Sequence, residues 1–250
     1  MSLQFSRAIV IGASAGIGAE IARQLAASGC SVALLARRES ELEGVAASLA
    51  TTAGAQVIRA VHDVTQYDSV PTLFERLVGQ LGGLDLVVYA AGDMYVPQES
   101  EYDFARDRRM IEINVLGAMA WTSVAAAHFE AKRAGTIIGL SSIAGVRGRR
   151  TMPGYTTSKA ALSAWLEALR NRVSRHGVNI VTVKPGFVDT AMTAHLTKKP
   201  MMISAPKAAS LILATARRGG SPSAYIPFQW GIVAMIIRHI PSWLFRRLDL

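Results

Sequence analysis

A single cysteine, Cys30, stands among the 250 residues, so no disulfide can close within the chain. That points to a reducing, intracellular setting, with the cytoplasm as the expected location. Val32, Ala33, Leu34 and Leu35 follow shortly after, and Cys30 reads as a small strand or loop residue rather than a nucleophile. Long apolar runs are missing too. No stretch approaches the ~20 apolar residues that span a bilayer, and the longest uninterrupted run near the C-terminus is Ile232 to Ile237. The run AIVIGASAGIGA behind Arg7 is too rich in glycine for a signal-peptide core and stops at Glu20. There is no internal repeat, low-complexity tract or proline-rich linker. A chain that is 50% hydrophobic and of this length fits one large domain better than two small ones.

Acidic residues are also in short supply: 18 Asp and Glu against 27 Lys and Arg give a formal net charge of +9. The excess is uneven. Residues 201–250 hold six cations (Lys207, Arg217, Arg218, Arg238, Arg246 and Arg247) against one acid, Asp249, a balance of +5. A basic excess suits nucleic acid, anionic lipid or an anionic ligand. Nucleic acid is not expected, because no basic stripe with interleaved stacking aromatics runs through the core.

What the chain does contain is alternation. Short apolar or β-branched runs recur at 7–12, 31–36, 55–61, 84–90, 135–141, 178–185 and 223–227. Between them lie segments of helical spacing at 16–28, 39–50, 68–81, 101–132, 153–175 and 206–217. Strands alternating with helices imply βαβ units and a parallel sheet. Runs without polar alternation imply a sheet covered on both faces. The expectation is an α/β, doubly wound Rossmann-type domain of about seven strands over residues 1–228, with a basic, apolar extension at 229–250.

GASAGIG (12–18) follows the first strand and opens the first helix. Gly12, Gly16 and Gly18 stand where such a turn needs a tight bend, close backbone approach and close helix packing. The helix N-terminus then offers free N–H groups to a pyrophosphate. At the end of the second strand an NAD site carries an acid for the ribose 2′-hydroxyl. Here Ala36 holds that place, followed by Arg37 and Arg38. An arginine fork pairs with a 2′-phosphate, which argues for NADP(H) over NAD(H). The bland alternative is two solvated arginines.

GYTTSKAAL (154–162) places Tyr155 and Lys159 one helical turn apart among small residues. The spacings GxxxGxG and YxxxK, with further segments in order, resemble the short-chain dehydrogenase/reductase family from about residue 5 to about 228. Those segments are Asp63 and Val64 in VHDVT, Ala91 and Gly92 in the AAG turn, Asn114 in INVLG, Ser142 in LSSIAG and PGFVDT at 185–190. Two departures stand near the cofactor turn: Ile11 where the family has threonine, and Ala90 where it has an asparagine-type residue.

The resemblance implies a catalytic set of Asn114, Ser142, Tyr155 and Lys159. It implies cofactor contacts from Ser14 and Ile17 in the glycine turn, from Asp63, Val64, Ala91 and Gly92, from Tyr155 and Lys159, and from Pro185, Gly186, Val188 and Thr190. It assigns no metal. A free tyrosine has a pKa of about 10, and a nearby ammonium is expected to lower it toward the working range. The resemblance also gives Lys159 a bond to the nicotinamide ribose, Ser142 a bond to the substrate oxygen and Asn114 a water that links Lys159 to solvent. Together these imply an oxidoreductase acting on a carbonyl/alcohol pair, expected to be lipophilic. NAD-linked oxidation, or a dinucleotide-sensing or membrane-associated scaffold, are the alternatives.

Met94, Tyr95, residues 144–152, Phe187 and residues 192–203 are candidate pocket walls, with Met192, Met201 and Met202 as a soft lining. Arg147, Arg149 and Arg150 form either a solvated loop or a site for an anionic group. The tail, residues 230–250, is basic, contains tryptophan and is divided by Pro241. It suits either an interfacial helix on an anionic membrane or a segment packed on the protein. The resemblance further implies a homodimer or homotetramer, paired through 101–132 and 153–175.

Overall fold

Strand residues with no polar alternation must bury both faces. In the computed structural model, which describes residues 4–49, 55–197, 199–219 and 222–248, the inner strands do so, while the edge runs 57–61 and 223–226 stay mostly half-buried or exposed. Ala50 of the predicted second helix, Lys198 in the candidate pocket loop and the last two tail residues lie outside the described residues. In chain order the elements are β1 (Arg7–Ile11), α1 (Gly16–Ala27), β2 (Ser31–Ala36), α2 (Glu39–Leu49), β3 (Val57–Val61) and α3 (Val70–Leu81). Next come β4 (Leu86–Tyr89), α4 (Phe104–Ile111), α5 (Gly117–Lys132), β5 (Gly135–Leu140), α6 (Pro153–Val173) and β6 (Val178–Pro185). Then follow β7 (Val188–Asp189), β8 (Ile203–Ser204), α7 (Ala205–Arg218), β9 (Ser223–Ile226), α8 (Gln229–His239) and α9 (Ser242–Phe245).

Seven strands form one parallel sheet in the order β3-β2-β1-β4-β5-β6-β9, a doubly wound Rossmann-type arrangement. The pleat sends Ala8 and Val10 to the face packed by α1, α2 and α7, and Ile9 and Ile11 to the face packed by α3, α5 and α6. A two-stranded ladder of β7 and β8 was not foreseen; it pairs Val188 with Ile203.

The segment expected as one helix over 101–132 differs from that expectation. It starts at Phe104, because the Asp103 carboxylate caps it by accepting from Ala105 N at 2.9 Å and Arg106 N at 3.1 Å. A π-helical turn over Glu112–Leu116 then separates α4 from α5. The widened turn frees the Ile113 carbonyl, which accepts the buried Tyr89 hydroxyl at 2.5 Å. By length and hydropathy the run Phe104–Lys132 could cross a membrane, contrary to the expectation that no stretch approaches that length. Trp121, Ala125 and Phe129 are nevertheless fully buried in the core.

Pro241 separates α8 from α9. Trp230, Ala234 and Ile237 lie one or two turns apart and form the buried stripe of α8. Trp230 packs with Ile143 and Phe187, so the tail covers the segments that follow β5 and β6. Gly186 makes room for it: a side-chain carbon there would stand 1.8 Å from Trp230 Nε1. The opposite face of α8 leaves Ile232, Met235 and Ile236 exposed.

Candidate active site

The C-terminal ends of β1, β4, β5 and β6 open onto one cavity of about 510 Å³, the place where doubly wound sheets bind ligands. The β1–α1 turn forms one wall. Gly12 has φ +88°, and a Cβ there would meet Ala91 N at 2.4 Å; a Cβ on Gly18 would meet Gly12 O at 2.2 Å. The backbone must pass this closely, so only glycine serves. No side chain caps the N-terminus of α1 and no acid sits in its first turn. Its free N–H groups and positive dipole end are open to the phosphate of a bound nucleotide, with no acid of the first turn competing. The turn therefore fits a dinucleotide, as the sequence reading expects.

Past β2, Arg37 and Arg38 both line the cavity. Arg38 Nη2 donates to Ser14 Oγ at 3.1 Å, and Arg38 Nη1 pairs with Glu41 at 3.2 Å. Arg37 lies 3.7 Å from Asp63, which also pairs with Arg109 at 3.4 Å. Burial pushes the Asp63 carboxyl up, but the Thr65 N–H at 3.0 Å, the Thr65 hydroxyl at 2.8 Å and Arg109 outweigh it and hold the carboxyl below its ordinary range. An acid absent from the sequence neighbourhood of Arg37 thus reaches it through the fold.

At the other end, Ser142, Tyr155 and Lys159 line the same cavity. Ser142 begins the short 3-10 turn after β5, and its Oγ accepts from Ala144 N at 3.1 Å. Gly145 lets that turn lie against α6, since a Cβ there would stand 2.6 Å from the Lys159 carbonyl carbon. Lys159 is buried and its Nζ donates to the Leu140 carbonyl at 3.0 Å. Burial alone lowers its pKa from 10.5 to about 8.

The expected easing of the phenol by Lys159 is not the direction found. Burial raises the Tyr155 pKa, with Ser142 and the Arg149 guanidinium opposing it. Lys159 Nζ sits 5.8 Å from the Tyr155 ring centre, turned toward Leu140. The neighbouring cation that favours the phenolate is Arg149.

Asn114 stands behind the wall, fully buried in the π-helical turn. Its Nδ2 donates to Asp93 O and Ser158 Oγ, both at 2.9 Å, and its Oδ1 accepts from Asp93 N at 2.7 Å. Of the residues proposed from sequence, Gly12, Ser14, Gly16, Ile17, Gly18, Arg37, Arg38, Asp63, Val64, Ala91, Gly92, Ser142, Tyr155, Lys159, Pro185, Gly186, Val188 and Thr190 all line the cavity; Asn114 does not. Met94, Phe187 and Met192 line it as well. Met201 and Met202 are exposed and outside it, and Tyr95 instead donates its hydroxyl to Glu101 at 2.5 Å. The sequence reading missed Arg109, which carries no motif, and gave no role to Ser158, which connects Asn114 to the Tyr155 carbonyl at 2.8 Å.

Known proteins place this arrangement. Residues 6–201 match the short chain dehydrogenase family, and the chain belongs to it. An uncharacterized oxidoreductase of Myxococcus xanthus is 32% identical over 244 residues, covering 97% of this chain and 96% of its own. An alcohol dehydrogenase of the archaeon Thermococcus sibiricus, solved with 5-hydroxy-NADP, is 26% identical with a TM-score of 0.79 over 88% of this chain and 95% of its own. A short chain dehydrogenase of Burkholderia cenocepacia, solved with NADP, shares the fold along both full chains with a TM-score of 0.84 at 24% identity. The protein is thus an oxidoreductase that uses a pyridine nucleotide.

Proposed function

We propose that this enzyme is NADP(H)-linked and interconverts a lipophilic carbonyl compound and its secondary alcohol. The observation that carries the reading is one cavity with Arg37 and Arg38 beside the glycine turn at one end and Ser142, Tyr155 and Lys159 at the other. When bound, the cofactor supplies or accepts the hydride. Arg38, fixed to Ser14 Oγ, and Arg37 present guanidinium donors that suit a 2′-phosphate. The NADP and 5-hydroxy-NADP complexes of the two similar proteins support this choice.

Tyr155 holds the proton. Burial raises its pKa, so the phenol stays protonated at neutral pH and is ready to donate to a carbonyl oxygen, which favours reduction. Ser142 Oγ, on the same wall, donates to that oxygen and stabilises the charge growing on it. We assign the re-supply of the Tyr155 proton to Lys159, whose pKa burial lowers to about 8 and whose ammonium must first leave the Leu140 carbonyl, while Asn114 bonds Ser158 and Ser158 bonds the Tyr155 carbonyl. The test is NADPH oxidation with medium-chain and aromatic ketones, for the wild type beside Tyr155→Phe. Turnover by the wild type, lost in the variant with cofactor binding kept, is expected; equal rates, or no turnover of any carbonyl, would count against the reading.

A second reading concerns the tail. One face of α8 packs on the protein, while Ile232, Met235 and Ile236 are exposed, Arg238 lies in the last turn of α8, and Arg246 and Arg247 follow α9 in the same tail. We propose that this face rests on anionic lipid at the cytoplasmic side of a membrane. Co-sedimentation with phosphatidylglycerol vesicles at low salt tests it, and its absence refutes it. A homodimer or homotetramer through α4, α5 and α6 is proposed alongside, and sedimentation analysis decides it.

A further inference from the structure

Three arginines share the loop between Ser142 and Tyr155, and two of them have clear partners. Arg147 donates to the carbonyls of Ile237 at 2.9 Å and of Ile240, and to Ser242 Oγ at 3.2 Å, with its guanidinium 4.0 Å from the Phe245 ring centre. It fastens the tail. Arg150 pairs with Glu99 at 3.7 Å. Arg149 differs: it lines the cavity, is partly withdrawn from solvent and has no hydrogen bond or ion pair among the described residues.

A guanidinium withdrawn from water without a counter-charge is costly, and a ligand that supplies the charge recovers the cost. No carboxylate of the cavity can do this. Among the described residues Asp63 is the one acid lining it, and Asp63 follows β3, at the far end of the sheet order from the loop after β5, where Arg37 and Arg109 hold it. Arg149 acts electrostatically on Tyr155 and shares the cavity lining with Met94, Ala144 and Met152, which pack with Tyr155 in one apolar cluster. A molecule lying there meets an apolar wall, the Tyr155 hydroxyl and one unsatisfied cation.

We infer that Arg149 receives an oxyanion group of the substrate, so that the substrate class is an apolar carbonyl or alcohol compound bearing a carboxylate or a phosphate. The planar fork of the guanidinium matches either group with two parallel hydrogen bonds. Neutralising Arg149 would also remove the cation that favours the phenolate, leaving the phenol protonated for donation. The inference rests on the carbonyl–alcohol reading above, but the binding arm of its test does not need turnover.

The test is calorimetric binding of octanoate, octyl phosphate and octanamide to the full chain, free and loaded with NADP(H). Wild type is compared with Arg149→Met and Arg149→Lys. At least one anion should bind roughly tenfold or more tightly than the amide in the wild type. That preference should vanish in Arg149→Met and partly return in Arg149→Lys, and the preferred anion names the acid group. Equal binding of all three, binding of none at millimolar concentration, or a preference that survives in Arg149→Met overturns the inference. A protein that reduces neutral ketones without anion preference contradicts it and leaves the carbonyl–alcohol reading standing. One that holds an anion through Arg149 but turns over no carbonyl does the reverse.

Discussion

Replacing Lys159 by methionine should separate what the fold needs from what the chemistry needs. Its ammonium is buried and, among the described residues, makes a single hydrogen bond, to the Leu140 carbonyl at 3.0 Å, with no carboxylate to answer it. Burial lowers its pKa from 10.5 to about 8. Below that value folded and unfolded chains both carry the proton, and the folded state bears the full cost of the buried charge. Between about 8 and 10.5 the folded chain has released the proton and the unfolded chain has not, so stability rises with pH across that window. A shift of that size corresponds to about 3 kcal/mol. Methionine removes the cost but leaves the Leu140 carbonyl unpaired, a loss of about 1–3 kcal/mol. At pH 7 the variant should therefore match or exceed the wild type in stability while losing activity. By pH 10 the difference should have moved in favour of the wild type by roughly 2–3 kcal/mol. Urea unfolding of both proteins at several pH values measures this, and the difference cancels the other titrating groups. Two curves that stay parallel from pH 7 to pH 10 would show that Lys159 is solvated, and the reasoning would fail.

Other outcomes follow from the same geometry. Tyr155→Phe should lower the turnover number by about 10²–10⁴-fold, a far larger change than in cofactor affinity, read from steady-state kinetics and calorimetry. Gly12→Ala, forced to φ +88° against Ala91 N, should lose cofactor binding and melt at lower temperature, seen by titration and circular dichroism. Reduction should hold level through neutral pH and decline as pH rises through about 8, where Lys159 loses its proton; a rate still level well above that would contradict the proton path. Arg147→Ala should release residues 229–245, seen as lost hydrogen-exchange protection there while the sheet keeps its own.

The parts legible in the sequence were those written in local pattern. Apolar runs marked all seven strands of the sheet, most plainly the five inner ones, whose two faces are both buried; the edge strands β3 and β9 are only partly covered. GASAGIG and YTTSK marked the two ends of the cavity, because a tight turn and a helix face are short-range geometry. What was illegible depends on residues far apart in the chain. The Ile113 carbonyl in the π-helical turn answers a hydroxyl on Tyr89, 24 residues earlier. The acid beside Arg37 comes from Asp63 on the next βα connection. The phenol of Tyr155 is governed first by burial, which no YxxxK spacing reveals, and its cationic neighbour is Arg149. The three arginines of one loop look alike in sequence, and only tertiary contacts sort them into a tail anchor, a pair with Glu99 and a cation facing the cavity. Met192 and Met201 look equally suited to a pocket wall and are about equally exposed, but only the first lines the cavity.

The central claim is NADP(H)-linked chemistry in a cavity read by Arg37 and Arg38. Calorimetry of NADP(H) and NAD(H) binding, for the wild type beside the Arg37→Ala/Arg38→Ala double variant, tests it most directly. The prediction is that NADP(H) binds at least about tenfold more tightly, roughly 1.4 kcal/mol, and that the double variant erases the difference. Equal or tighter binding of NAD(H) by the wild type would contradict it.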